Sequence, residues 1–219
     1  MPSPGAFTEV YERLAAEGAT EILSIHLATS LSGMLNAARS GADATDGVKF
    51  TLFDSEQVSM GLGLLAISAA EMAAEGSPME EIIVKLRHQV KRTYVFALLD
   101  TLEYLRRSGR VGWAQFGIGT LLRIKPMIKV YEGEVIMLDK VRTSKRALRQ
   151  MLKTISELGR LDKAALLHIQ GGENLKAFGH QAQSLFPGGQ ISEAVEVTPA
   201  IGAHVGPGAL GIACIVAES

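Results

Sequence analysis

The feature that most constrains the fold is an apolar run that stops at a group of hydroxyls and is followed by a helical pattern. Residues 22–27 are short and β-branched enough for a buried parallel strand. The run stops at residues 29–33, and residues 34–39 read as a helix. Ligands of open α/β sheets bind where a strand ends just before a helix. The sequence therefore predicts an α/β fold with a candidate ligand site at residues 29–33.

Three hydroxyls, from Thr29, Ser30 and Ser32, surround the start of this helix, and Gly33 follows them. A single Ser or Thr at such a place is commonly an N-cap with no ligand at all. Three hydroxyls exceed what capping needs, and a helix start also offers unpaired N–H groups and a partial positive charge. The segment therefore favours a site for a carboxylate or a phosphate.

The first 92 residues contain only two predicted strands, at 21–27 and 48–53, each followed by helices. A two-stranded parallel sheet is not a stable unit in water. We therefore expect either that strands from elsewhere complete this sheet or that an N-terminal piece is missing. We favour the missing piece, because the chain opens in the loop Met1-Pro2-Ser3-Pro4-Gly5.

The sequence changes character after residue 92, where strand patterns dominate. The six predicted strands cover residues 93–99, 125–131, 134–140, 163–169, 190–197 and 209–217. Glu132-Gly133, between the second and third of them, is a hairpin signal. Six strands suffice for a complete mixed sheet covered by helices. We therefore expect two domains, an incomplete N-terminal α/β domain at 1–92 and a C-terminal α/β domain at 93–219.

Composition excludes several classes of protein. Hydrophobic residues make up 47% of the chain and charged residues 21%, a balance typical of globular domains. The net charge is −1 and no Lys/Arg block stands alone, so nucleic acid is not an expected partner. Cys214 is the single cysteine, which excludes a disulfide within the chain and fits a reducing cytoplasm. No apolar run approaches the ~18–20 residues of a membrane span. Aromatic residues are only 5%, so a cavity in this aliphatic core would suit an aliphatic guest.

Two further motifs predict no metal and no nucleotide cofactor. Asp54 ends the second strand, but no carboxylate or histidine follows at ligand spacing. We expect it to bind a neighbouring loop. Gly61-Leu62-Gly63 resembles part of a dinucleotide fingerprint, but Ala66 stands at the third glycine position and the surrounding pattern is wrong.

One histidine and two arginines are candidate site residues. His204 lies within residues 201–208, a predicted loop with glycines on both sides, where the backbone can approach a ligand closely. Arg110 lies in a glycine turn that can present its fork to a carboxylate or phosphate. Arg142 ends a strand before a cationic helix. The alternative is a loop histidine facing water and two ordinary surface charges.

A hydrolase is the alternative function. Ser30 or Ser32 could combine with His204 and Asp54 in a catalytic triad acting on a small carboxylate or phosphate ester. However, the Gly-x-Ser-x-Gly elbow that exposes a nucleophile is absent from these segments.

Several of these stretches together resemble the DegV family, which includes the fatty-acid-binding subunits of bacterial fatty acid kinase. The matching segments occur in family order: Pro2-Ser3-Pro4-Gly5; Ser24 to Leu27 with Thr29 to Gly33; Phe53-Asp54-Ser55 with Ser59, Gly61 and Gly63; Thr101 to Leu105 with Gly109 to Gly112; Ile124-Lys125-Pro126; Lys140 to Arg142; and His204 to Gly208. They span nearly the whole chain.

The resemblance implies a DegV-like fold of two domains with a long-chain fatty acid between them. The N-terminal domain would be a three-layer α/β/α unit with a parallel sheet, and the C-terminal domain a two-layer unit with a six-stranded mixed sheet. Ser30 matches the family's carboxylate-binding serine, and Arg110 and His204 match its interface residues. Family members carry Thr-Ser-Gln before Pro-Ser-Pro, and this chain has Met1 in place of that Gln.

The resemblance also implies a non-catalytic, cytoplasmic subunit without a cofactor. It would present the carboxylate to an ATP-binding kinase subunit that makes acyl phosphate, and the residues holding the carboxylate would be Thr29, Ser30, Ser32, Gly33 and His204. Arg110, Arg142 and His204 would serve the phosphoryl transfer at the interface. Transient contact with a membrane would allow lipid exchange.

Overall fold

The computed structural model of the chain describes residues 1–111, 124–141, 143–191 and 194–218. The first of two sheets has two parallel strands, β1 (Glu21–His26) and β2 (Lys49–Asp54), paired residue by residue. Helices α1 (Pro4–Ala16) and α2 (Met34–Asp43) pack beside it. The predicted strand, hydroxyl segment and helix thus follow one another as expected.

The second sheet contains six strands in the order β5-β4-β3-β8-β6-β7. These strands are β3 (Thr93–Leu98), β4 (Lys125–Tyr131), β5 (Glu134–Val141), β6 (Leu161–His168), β7 (Ala194–Glu196) and β8 (Leu210–Val216). Only the β6–β7 pair is parallel among the described pairs of this sheet, so the predicted six-stranded mixed sheet is confirmed. Of the strand predicted at 190–197, the described part includes β7, and residues 192 and 193 lie outside the described residues.

Within the described ranges, six helices accompany this sheet. They are α3 (Ser59–Ala74), α4 (Met79–Val90), α5 (Glu103–Ser108), α6 (Ser144–Ser156), α7 (Gly172–Ala182) and α8 (Pro199–Val205). Two short 3₁₀ turns, Gln183–Leu185 and Pro187–Gly189, follow α7. None of the helices in the described ranges combines the length and apolarity needed to cross a membrane.

Side chains alternate along the strands so that both faces of the second sheet are buried. Ile212 and Cys214 of β8 face α6 and α7, where Phe178 is fully buried. Ala213 and Ile215 of the same strand face α3 and α4. A strand buried on both faces must be apolar throughout, which explains the continuous apolar run at the end of the chain. The sheet with α6 and α7 forms the expected two-layer unit, and α3 and α4 add a further layer.

Cys214 behaves as the predicted small apolar core residue. It lies in β8 and is fully buried. Burial disfavours the thiolate and raises the pKa of Cys214 to about 12. The thiol therefore stays protonated at neutral pH and contributes through packing.

Helix α3 joins the two sheets. Its buried Leu64 and Leu65 share one core with Phe53 of the first sheet and Ala213 of the second. The predicted domain boundary after residue 92 stays a prediction, because α3 and α4 precede this boundary yet pack on the sheet that follows it.

A buried polar network lies on the first sheet. The Nε2 of His26 is 2.8 Å from the hydroxyl of Ser24, which is 2.7 Å from the hydroxyl of Tyr11. The Phe7 ring packs edge-on against the imidazole. Burial lowers the pKa of His26 below its ordinary 6.5, and the nearby Asp54 carboxylate opposes this shift in part. The folded chain therefore favours neutral His26.

We expect the free energy of unfolding to fall as the pH decreases below 6.5. In that window the unfolded chain binds a proton on His26 and the folded chain does not, so acid favours unfolding until the lower folded pKa is passed. At pH values above 6.5, His26 is neutral in both the folded and the unfolded state, and its contribution to the free energy of unfolding is constant. Urea unfolding from about pH 7.5 to about pH 5 would measure this slope in the wild type and in His26→Gln. Equal slopes in both would show that another group is responsible.

Candidate functional site

An apolar cavity of about 550 Å³ lies between the loop after β1 and the second sheet. Its walls include Leu27 and Leu31 from that loop, Ile128 and Val130 from β4, Leu105 from α5 and Ile201 from α8. Small-molecule sites span roughly 300–1,000 Å³, and this cavity falls within that range. The described lining residues include no Phe, Tyr or Trp. The cavity is therefore aliphatic, in agreement with the scarcity of aromatic residues.

Among the described residues, three polar side chains line the same cavity: Ser32, Arg110 and His204. The Ser32 hydroxyl accepts a hydrogen bond from the Met34 N–H at 3.2 Å. Arg110 is exposed and follows Gly109, which ends α5 in a left-handed conformation. A hydroxyl, a cation and an imidazole beside aliphatic walls suit an amphiphile with an anionic end.

The predicted loop around His204 is wrong, since His204 lies in the last turn of α8. Pro199 occupies the first helical position, where its fixed φ favours a helix. Ile201 and Val205 place apolar side chains at the cavity, so burial offsets the low helix propensity of the glycines. The Nδ1 of His204 is buried and has no hydrogen-bond partner among the described residues. An unpartnered buried nitrogen costs free energy, so a ligand that bonds it is favoured.

Thr29 and Ser30 make contacts away from the cavity. The N–H and the hydroxyl of Thr29 both donate to the Asp54 carboxylate, which confirms the predicted loop-binding role of Asp54. The Ser30 hydroxyl donates to the carbonyl of Gly133 at 2.5 Å. The cavity lining includes Ser32 and Gly33 but neither Thr29 nor Ser30. The roles of all four as carboxylate ligands stay predictions.

The turn of the β4–β5 hairpin fastens the second sheet to the hydroxyl segment. The Gly133 N–H donates to the Glu56 carbonyl at 2.9 Å, and Lys91 forms ion pairs with both Glu132 and Glu56. Gly133 has φ 75°, and a Cβ there would lie 2.9 Å from the Ser30 hydroxyl. Sequence reasoning found the hairpin but missed this contact, because 103 residues separate the two partners and no local pattern links them.

The alternative hydrolase triad is not assembled among the described contacts. The Asp54 carboxylate accepts from Thr29 and from the Glu56 N–H, and the Ser30 hydroxyl is bonded to Gly133. None of the described residues forms a hydrogen bond with the Nδ1 of His204. Arg142, the third predicted interface cation, lies outside the described residues. In the described part of the chain, no group of three or more His, Cys, Asp or Glu side chains could hold a metal ion.

The six-stranded mixed sheet, the small parallel sheet and the aliphatic cavity define a two-sheet α/β protein with an internal cavity of ligand size. The family model described as "Uncharacterised protein, DegV family" matches residues 1–217. This chain belongs to the DegV family. The predicted family and fold class are therefore confirmed.

Relatives and solved structures match this chain over most of its length. A DegV domain-containing protein of Listeria innocua is 34% identical over 215 residues, covering 97% of this chain and 76% of the relative. A DegV domain-containing protein of Streptomyces coelicolor is 34% identical over 213 residues, covering 96% and 75%.

Two solved structures share the fold over nearly the whole of this chain. A DegV family protein from Thermus thermophilus, described by its fatty acid binding, has a TM-score of 0.86 at 31% identity, covering 99% of this chain and 78% of that one. DegV from Bacillus subtilis, described as a fatty acid binding protein, has a TM-score of 0.83 at 29% identity, covering 98% and 77%.

Proposed function

We propose that this protein binds a long-chain fatty acid in its cavity and presents the carboxylate to a separate ATP-binding kinase subunit, which makes acyl phosphate. The observation that carries the proposal is the aliphatic cavity of about 550 Å³ whose polar side chains are Ser32, Arg110 and His204. The fatty acid binding described for the Thermus and Bacillus relatives supports it.

The cavity walls suit tight retention of an acyl chain. Burying about 13 to 15 methylenes at ~0.8 kcal/mol each contributes on the order of 10 kcal/mol before ordering costs. Because the walls are aliphatic, they require no hydrogen-bonding group on the acyl chain. The protein itself carries out no covalent step in this proposal.

The polar residues would hold and expose the carboxylate. Hydroxyls of Thr29, Ser30 and Ser32, with the backbone at Gly33 and the Nδ1 of His204, would bind its oxygens. A Ser30 hydroxyl that binds ligand must give up its bond to Gly133. A hydroxyl ligand leaves the carboxylate nucleophilic, whereas a direct salt bridge would lower its reactivity.

The remaining cations would serve the transfer. Arg110 and Arg142, with His204, would stabilise charge on the transferred phosphoryl group when the kinase subunit docks. The pair would act in the cytoplasm, where ATP is present, and transient contact with a membrane would allow lipid exchange.

Lipid extraction tests the proposal. Protein purified without detergent would be extracted with organic solvent and the extract measured by mass spectrometry. We expect fatty acids of roughly 14 to 18 carbons, long enough for methylene burial to give tight retention. Absence of fatty acid, together with no binding of added palmitic acid by calorimetry, would overturn the proposal.

Ser30→Ala is expected to weaken fatty-acid binding about fivefold or more, because a hydrogen bond to a charged group contributes roughly 1.5–3 kcal/mol and giving up the bond to Gly133 offsets part of this. Calorimetry with palmitic acid measures the change. Ser40→Ala is the matched control, since its hydroxyl donates to Asn36 within α2, and its affinity should be unchanged. Ser32→Ala separates the two candidates. If Ser32→Ala loses affinity for palmitic acid while the affinity of Ser30→Ala stays within twofold of wild type, Ser32 and not Ser30 binds the carboxylate.

A further inference from the structure

A second cavity of about 70 Å³, here named the deep chamber, lies against the face of the second sheet. Its walls are almost wholly apolar. The residues that line both the deep chamber and the larger cavity are Val58, Ile128, Val130, Ile201 and Val205. The two spaces are therefore neighbours that share aliphatic side chains.

The strand register explains the deep chamber. Ile128 of β4 pairs with Ala97 of β3, Ala97 pairs with Gly211 of β8, and Gly211 pairs with Leu167 of β6. Residues paired across neighbouring strands point to the same face of a sheet. Ala97 and Gly211 are small and lie between two larger side chains in this row. They therefore leave a depression in that face of the sheet. Gly211 cannot fill it, because a Cβ there would lie 2.5 Å from the Phe96 carbonyl oxygen.

An apolar space against a sheet is unfavourable when no alkyl group fills it. Protein cores are close-packed, and atoms that line an empty apolar space lose dispersion contacts. Water does not repair the loss, since apolar cavities stay dry. An alkyl group that enters from the neighbouring cavity restores these contacts without leaving a polar group unpaired.

We infer that the deep chamber takes the methyl end of the acyl chain, and that Ala97 and Gly211 thereby limit the longest chain the protein retains tightly. This inference rests on the proposed function. Shorter acids end in the larger cavity and do not use the deep chamber. For longer acids, each methylene that enters improves affinity about fourfold, until the floor at Ala97 and Gly211 stops the chain.

The test compares length profiles. Dissociation constants for saturated fatty acids from decanoic to eicosanoic acid would be measured for wild type and variants. Ala97→Val adds two methyl groups at the floor, and valine suits a strand. We expect unchanged affinity for the short acids, and about fifteenfold weaker binding of the longest acids if two methylenes are excluded. Leu167→Ala enlarges the deep chamber and should shift the preference towards longer acids.

Ala164→Val is the matched control. Ala164 lies on β6 but packs with the core on the opposite face of the sheet, so the same added volume should leave the profile unchanged. Profiles with the same shape in wild type, Ala97→Val and Leu167→Ala would overturn the inference and leave the proposed function intact. A wild type that binds no acid of any length would overturn the proposed function and this inference with it.

Discussion

Replacing Gly206 with alanine is expected to lower the free energy of unfolding by about 2–5 kcal/mol. Gly206 ends α8 with φ 81° and ψ 169°, a region that is essentially restricted to glycine, and strain there costs about 1–3 kcal/mol. An added Cβ would also lie 2.4 Å from the ring of Tyr104. Relieving that overlap requires the Tyr104 ring, which is 36% exposed, to move off Gly206, and this costs about 1–2 kcal/mol more. Urea unfolding would measure the loss.

Two variants separate the backbone cost from the overlap. Gly188 also has a positive φ, 67°, but a Cβ there meets nothing within 4 Å, so Gly188→Ala should lose only about 1 kcal/mol. In a Gly206→Ala background, Tyr104→Ala should recover the part of the loss due to the overlap. Equal losses in Gly206→Ala and Gly188→Ala would show that the Tyr104 contact is unimportant.

The fold could be predicted from the sequence where one local pattern decides the structure. The apolar run around Cys214 became β8 because a strand buried on both faces admits no polar residue. Glu132 and Gly133 predicted a hairpin because its two-residue turn needs positive φ, and both residues have it. Asp54 was placed correctly as a loop-binding residue, because short acidic side chains readily bond nearby N–H groups.

The helix around His204 could not be predicted from its composition. Gly202 and Gly206 lower helix propensity, which favoured a loop. The opposing signal was Pro199, a common first residue of helices, together with Ile201 and Val205 at helical spacing. Their burial at the cavity decides the outcome. That burial depends on Ile128 and Val130 of β4, which are distant in sequence. Tertiary packing therefore overrode local propensity here.

The arrangement of the candidate site depends on contacts that no single segment encodes. The bond from Ser30 to Gly133 requires the hairpin turn to reach the first sheet. The deep chamber requires Ala97 and Gly211 to be register partners in neighbouring strands. Neither residue looks unusual within its own strand, so a sequence without the pairing register gives no signal for either feature.

Under the proposed function, Arg110→Ala is expected to reduce acyl phosphate production at least about tenfold while fatty-acid affinity stays within about twofold of wild type. Arg110 is exposed, lines the larger cavity, and donates from Nη1 to the Ser108 carbonyl at 3.3 Å. A guanidinium held there can reach a phosphoryl group arriving from outside. The acyl chain gains nothing from it. Calorimetry would measure lipid binding, and ATP consumption with the kinase subunit would measure transfer.

Arg107→Ala is the matched control, because Arg107 is an exposed arginine of α5 that pairs with Glu103. Its removal changes the net charge equally and should leave transfer unchanged. Arg110→Lys should fall between wild type and Arg110→Ala, since an ammonium keeps the charge but lacks the planar fork. Parallel loss of lipid affinity and transfer would move Arg110 into the carboxylate site. Loss of neither would make it an ordinary surface charge, and phosphoryl transfer would then depend on other groups.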